Sequence, residues 1–263
     1  MYAFELARPS SIAEALKALQ EDEAQPLAGG QTLVPTLKAR LAAPSTLVSL
    51  RGIKEMQGIC HDDAGRIYIG AATTHATVAR EVAKDYPGLA ALAGQIGDPA
   101  VRNRGTIGGS LANNDPSACY PAAALGSGAT IVTNAREIPA DDFFEGMFTT
   151  ALEEDELIIA VRFPVPKVSA YAKFAQPASR FALTGVFVAQ FDDGVRVAVT
   201  GASEDGVFRW SEAEDALGRD FSADAVAGLS VPAEGMIGDL HGTPEYRAHL
   251  VGVMTRRAVA AAG

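Results

Sequence analysis

The chain has 263 residues, 48% of them apolar and 21% charged, the composition of an ordinary globular protein rather than a disordered or fibrous one. That length exceeds the roughly 100–200 residues of a typical single domain, so two or three folding units sharing one body are expected. A net charge of −10 argues against nucleic acid as a partner, because gripping a phosphate backbone depends on clustered Lys and Arg.

The longest apolar runs, such as Ala122 to Leu125, fall far short of the roughly 20 residues that cross a bilayer, so no membrane span is expected. The start, MYAFELARPS, has no basic region followed by an apolar stretch, and the expected location is the cytoplasm. Cysteine occurs only as Cys60 and Cys119, too few for an iron–sulfur cluster, which takes about four ligands, or for a disulfide framework. Any such cluster belongs to a partner chain.

The first elements read α/β. Ser11 followed by Glu14 suggests a capping box, with Ile12, Ala15, Leu16 and Leu19 at helical spacing, predicting a helix over 11–20. A second helical pattern runs from Leu33 to Leu41, and Thr46 to Leu50 predicts a strand. These compose a first unit over residues 1–55. A second unit, 56–168, opens with an alternating strand at Arg66–Gly70 and a helix carrying Val78 and Val82 behind a capping threonine. A further helix over 87–96 and strands at 129–133 and 157–163 follow, the last apolar throughout and suited to a buried position. Pro164 and Pro166 punctuate the chain, and the remaining unit, 169–263, turns β-rich. There Asp192-Asp193-Gly194 marks a hairpin between strands over 181–191 and 195–200. Thr243-Pro244 then opens a helix with Tyr246, Leu250, Val253 and Met254 on one face.

Two segments carry paired glycines: Leu27-Ala28-Gly29-Gly30-Gln31-Thr32-Leu33 and Arg104-Gly105-Thr106-Ile107-Gly108-Gly109-Ser110. Lacking Cβ atoms, such a pair lets backbone N–H groups converge on an anion, with a helix start adding a favourable dipole. Either pair alone reads first as a tight turn. Together they read as two anion nests, which fit a pyrophosphate. Neither is a G-x-G-x-x-G dinucleotide fingerprint or a P-loop.

These segments, with Ile69-Gly70-Ala71-Ala72-Thr73-Thr74-His75 and the run from Gly97 to Ser110, closely resemble the FAD-binding medium subunit of molybdenum hydroxylases, the xanthine dehydrogenase and aerobic carbon monoxide dehydrogenase family. The resemblance implies an α+β fold: a two-subdomain FAD-binding domain of the vanillyl-alcohol-oxidase and MurB-like type, then a C-terminal domain with a small antiparallel sheet and helices. It assigns Leu27, Ala28, Gly29, Gly30, Gln31, Thr32, Leu33 and Val34 to the first pyrophosphate loop, and Thr106, Ile107, Gly108, Gly109 and Ser110 to the second. Ile96 and Ile158 match apolar flavin contacts. Lys173 matches a lysine near the isoalloxazine ring, where a cation stabilises negative charge on the reduced flavin. Gln31 stands where a histidine would allow a covalent flavin link, so the FAD is expected to be non-covalent. Cys119 stands where many relatives carry an acidic cofactor contact, and it reads as a packed small hydrophobe with no histidine or lysine evident beside it.

No catalytic acid, base or nucleophile is expected. Asp98 and Asp115 precede prolines and read as turn initiators, His75 reads as a packing or capping residue, and His61, His241 and His249 show no metal spacing. The resemblance implies an oxidoreductase whose molybdopterin-binding large subunit oxidises substrate. A small subunit with [2Fe–2S] clusters passes the electrons on, and this chain's FAD delivers them to an acceptor, in a dimer of heterotrimers. The alternatives are a stand-alone FAD-dependent oxidoreductase and a cofactor-less assembly module of the same fold.

Overall fold

A computed structural model describes residues 1–262. The N-terminal part runs β1 (Glu5–Ala7), α1 (Ile12–Leu19), β2 (Ala24–Leu27), α2 (Leu33–Lys38) and β3 (Thr46–Ser49). β1 and β2 both pair in parallel with β3, so the sheet order is β1-β3-β2 and the crossovers are made by the helices.

Ser11 caps α1 by accepting from Glu14 N at 3.2 Å. The Glu14 carboxylate, however, turns back to the N–H and hydroxyl of Ser10, at 2.7 and 2.9 Å. The box therefore closes one residue earlier than its sequence pattern predicts. Helix α2 is also shorter than expected: it ends at Lys38, Arg40 enters the left-handed region with φ of 59°, and Leu41 is left 79% exposed.

The middle of the chain contains β4 (Ile59–His61), β5 (Ile67–Gly70), α3 (His75–Glu81), α4 (Pro87–Gly94), α5 (Pro99–Arg102), α6 (Ile107–Asn113) and α7 (Tyr120–Ser127). It continues through β6 (Thr130–Thr133), β7 (Glu137–Pro139), α8 (Ala140–Phe143), β8 (Phe144–Gly146), β9 (Thr149–Thr150) and β10 (Ile158–Phe163). The five-stranded sheet has the order β4-β5-β10-β6-β7, all neighbours antiparallel. Its centre is β10, buried except at Arg162, as its continuous apolar run requires.

The last part is a four-stranded antiparallel sheet in sequential order, β11 (Val168–Ala175), β12 (Ala182–Gln190), β13 (Val195–Ser203) and β14 (Gly206–Arg209), followed by α9 (Ser211–Arg219) and α10 (Pro244–Ala262). Alternation along β12 ties the molecule together: Phe187 and Ala189 point into the larger core, while Val186 and Val188 point into a second core against α9 and α10.

The buried face of α10 is rotated from the predicted one. Leu250 and Met254 are buried as expected, but Tyr246 is 39% exposed and Arg247, Val251, Ala258 and Val259 complete the face. The Arg247 guanidinium donates to the carbonyls of Leu183 and Gly201, each at 2.6 Å, and to Asp239 at 2.7 Å. It thereby ties the helix to β12 and β13.

Candidate cofactor site

A cavity of about 650 Å³ opens between these parts and is lined by both glycine segments. That volume suits a small-molecule or cofactor site. Leu27, Ala28, Gly29, Gly30, Gln31, Thr32 and Leu33 form one wall, and Thr106, Gly108, Gly109 and Ser110 another. Ile96, Cys119, Ile158 and Lys173 also line it. Two residues expected at the site do not: Val34 faces a neighbouring smaller cavity, and Ile107 is fully buried in the core.

The two glycine pairs play different parts. Among the described residues, no backbone N–H from Ala28 to Leu33 donates to a backbone carbonyl, and the next amide, Val34, bonds back to Gly30 O at 3.1 Å. Gly30 supports this loop with φ of 73°. Such a run of free, adjacent amides is what a backbone anion nest is built from. The second pair is not a loop but the first turn of α6, capped by Thr106. Its amides are already engaged: Ile107 N on Thr73 O, Gly108 N on Ala71 O, Gly109 N on Thr106 Oγ1 and Ser110 N on Thr106 O, at 2.9–3.2 Å.

The second pair instead contributes closeness. A Cβ on Gly108 would stand 2.5 Å from Ala71 Cβ, and one on Gly29 would stand 2.3 Å from Arg104 O, so the two segments are pressed together through glycine.

His75 and Arg102 frame this junction. His75 is the first residue of α3, behind the capping hydroxyl of Thr74, and its N–H donates to Gly105 O at 3.0 Å. Its ring packs on Tyr120 with centroids 5.2 Å apart, which fits the expected packing role. Burial, helped by the nearby positive charge of Arg102, lowers the pKa of His75 to about 4. Its Nδ1 has no hydrogen-bond partner among the described residues although it is buried, and the residue lines the cavity. Arg102 meanwhile donates to the carbonyls of Ile96 and Gly97 at 3.1 and 2.8 Å.

The C-terminal sheet delivers the rest. β11, which the sequence reading did not anticipate as a strand, presents Lys173, whose Nζ donates to Gln95 O at 2.7 Å and Arg180 O at 2.8 Å. The same Nζ lies 3.6 Å from Cys119 Sγ, so Cys119 does have a lysine beside it, brought there by a strand distant in sequence. Cys119 is nonetheless buried, as a small hydrophobe would be.

Asp98 caps α5 by accepting from Val101 N at 2.9 Å, and Asp115 accepts from Ser117 N at 2.8 Å, both structural roles. The Thr200 hydroxyl straps the loop after Asp115 to β13 by donating to the carbonyls of Pro116 and Ala118 at 2.9 and 2.8 Å.

Several lining residues carried no signal in the sequence. Phe181, read there as the start of a strand, sits instead at the end of the 176–181 loop, half exposed over the cavity with Ser179 and Arg180. Glu156, on another wall, is paired through both oxygens with Arg136 at 2.9 Å, which holds its carboxyl down at about 2.

Residues 2–166 match the family of FAD binding domains in molybdopterin dehydrogenase. The whole chain is 35% identical to the nicotine 6-hydroxylase medium subunit of Paenarthrobacter nicotinovorans, covering 99% of this chain and 98% of that one. It is 33% identical to the carbon monoxide dehydrogenase medium chain of Hydrogenophaga pseudoflava, covering 98% and 96%. Among solved structures, quinoline 2-oxidoreductase from Pseudomonas putida 86 superposes with a TM-score of 0.88 at 32% identity, covering 99% of this chain and 97% of that chain. The chain belongs to the FAD-binding medium subunits of the molybdenum hydroxylases, and is a subunit of an oxidoreductase. Its cofactor is FAD.

The site fits that cofactor. The free amides from Ala28 to Leu33 are suited to an anionic diphosphate, the glycines let the segments that carry them approach closely, and the buried Nδ1 of His75 offers a further polar group. Ile96, Leu157 and Ile158 offer apolar surface for flat rings.

Proposed function

We propose that this chain is the electron-transfer subunit of a cytoplasmic molybdenum hydroxylase, assembled with a molybdopterin-binding large subunit and a [2Fe–2S] small subunit as a dimer of heterotrimers. FAD, when bound, would supply the reversible redox chemistry that such a relay between the partner's clusters and an external acceptor needs. The observation that carries this reading is the run of unbonded amides from Ala28 to Leu33 in the wall of the cavity, closed by the glycine contact with Arg104 and Gly105.

The chain's own residues bind, orient and shield. The loop of Ala28, Gly29, Gly30, Gln31, Thr32 and Leu33 holds the pyrophosphate. Gly109 and Ser110, on the other wall, leave room for it and add a hydroxyl. Ile96 and Ile158 exclude water from the ring system. Lys173 is fixed by two carbonyls in the cavity wall and would set a cation beside the flavin, where it would stabilise negative charge on the reduced form. Gln31 in place of a histidine leaves the cofactor without a covalent link.

This reading is tested on the intact complex. With FAD stripped, substrate should still reduce the partner's clusters while reduction of the acceptor stops, and added FAD should restore it. Acceptor reduction that persists at full rate without FAD would overturn the proposal.

A further inference from the structure

We infer that a second anion site lies behind the glycine loop, built from Arg8, Arg51 and Arg104. These three residues line a cavity of about 380 Å³ that is separate from the larger one and shares with it only the Leu27–Gly30 stretch as a common wall.

The position follows from topology. β1, β2 and β3 run parallel, and the chain leaves them at Ala7, Leu27 and Ser49. The cavity takes Arg8 from just past the first of these ends and Arg51 from just past the third, with Arg104 reaching in from the segment before α6. The crevice at the carboxyl ends of parallel strands is where open α/β sheets bind ligands.

The charge is equally specific. The protein carries 32 acidic against 22 basic residues, yet this lining holds three arginines and no carboxylate. Elsewhere among the described residues Arg66, Arg136, Arg196, Arg209 and Arg247 are held in ion pairs, and what distinguishes this place is three unpaired arginines on one cavity. Arg8, Arg51 and Arg104 enter none of these ion pairs. All three are exposed, so an anion from solution can reach them without displacing packed structure. Guanidinium forks match phosphate and carboxylate oxygens two at a time. Leu6 and Val34 add apolar surface beside them. The ligand chemistry is therefore a small molecule with a phosphate or carboxylate head on a short apolar body.

The test uses the full chain saturated with FAD, so that the cofactor cavity is filled, and titrates it by calorimetry with AMP, inorganic pyrophosphate and citrate. One saturable site is expected for at least one of them. AMP or pyrophosphate in preference to citrate identifies a phosphate ligand, and the reverse order a carboxylate. Arg8→Ala and Arg51→Ala should each weaken that binding on the order of tenfold, one lost charge-assisted pair, while the ratio of flavin to protein stays unchanged. Any one of three outcomes overturns the inference: no saturable binding by any probe, binding only to flavin-free protein, or binding indifferent to both substitutions. Loss of the site on assembly with the partner subunits also overturns it, since the arginines would then serve an acidic segment of a partner.

Discussion

At the scale of single residues, the cofactor account rests on where a Cβ has no room. A Cβ at Gly109 would lie 3.0 Å from Thr106 Oγ1 and 3.4 Å from Ala28 Cβ, so a branched side chain there narrows the cavity between its two walls. Gly109→Val should cost about 1.4 kcal/mol or more of FAD binding, a tenfold loss of affinity, seen as a lower flavin-to-protein ratio after gel filtration. Unchanged occupancy would contradict the assignment. Gly108 is a poorer probe, because its clash is with Ala71 in the core and the fold itself would suffer.

Lys173 makes a second prediction. Lys173→Met removes the cation while keeping the stem, and the flavin potential should fall on the order of 30 mV, about 1.4 kcal/mol for a two-electron couple. Lys173→Arg should restore most of it. An unchanged potential in the Met variant would remove Lys173 from the ring environment.

His75 gives a pH signature. Its pKa is about 4 in the folded protein against 6.5 ordinarily, because burial disfavours the charged ring. Above pH 6.5 the ring is neutral in both states and contributes no pH dependence. Below it the unfolded chain takes up the proton first, so stability is lost as pH falls from 6.5 to 4, by about 3 kcal/mol in all. Urea titrations of the protein and of His75→Gln across that window should show a shallower slope in the variant. Equal slopes would mean that the ring gains its proton freely in the fold.

At the scale of elements, strongly patterned segments were legible and contact-defined ones were not. The continuous apolar run of β10 and the Asp192–Gly194 turn between β12 and β13 reveal themselves locally. β1, β2 and β4 are three or four residues long with largely exposed side chains, and only the strand beside each defines it. α6 misled for a different reason. Two glycines weaken helix propensity by roughly 1 kcal/mol each, but the Thr106 cap and the hydrogen bonds to Ala71 and Thr73 override it.

The rotation of α10 has a similar cause. An arginine reads as a solvent-facing residue, whereas Arg247 is 3% exposed because two carbonyls and Asp239 meet its guanidinium. Arg247→Met should therefore destabilise the protein by about 3 kcal/mol, since buried acceptors lose their donor. A melting temperature within a degree of the parent would show that those carbonyls find water instead.

At the scale of the whole molecule, the cavity is an assembly of three sheets. The parallel sheet ends in the amide-bearing loop, the five-stranded sheet carries Ile158, and β11 brings Lys173. The first glycine segment was readable because the conformation it needs leaves a mark in residue type. The neighbours Cys119 and Lys173, 54 positions apart in sequence, could not be paired from local pattern. Their contact exists only once β11 lies against the loop before α7. The same holds for Phe181 and the arginines behind the loop, whose meaning depends on which strand ends meet.

The most direct test of the central claim is the flavin itself. Purified protein, denatured and freed of polypeptide by filtration, should release close to one FAD per chain, all of it in the filtrate because no covalent link holds it. A colourless protein that takes up no FAD on reconstitution, or a flavin that stays with the polypeptide, would contradict the account.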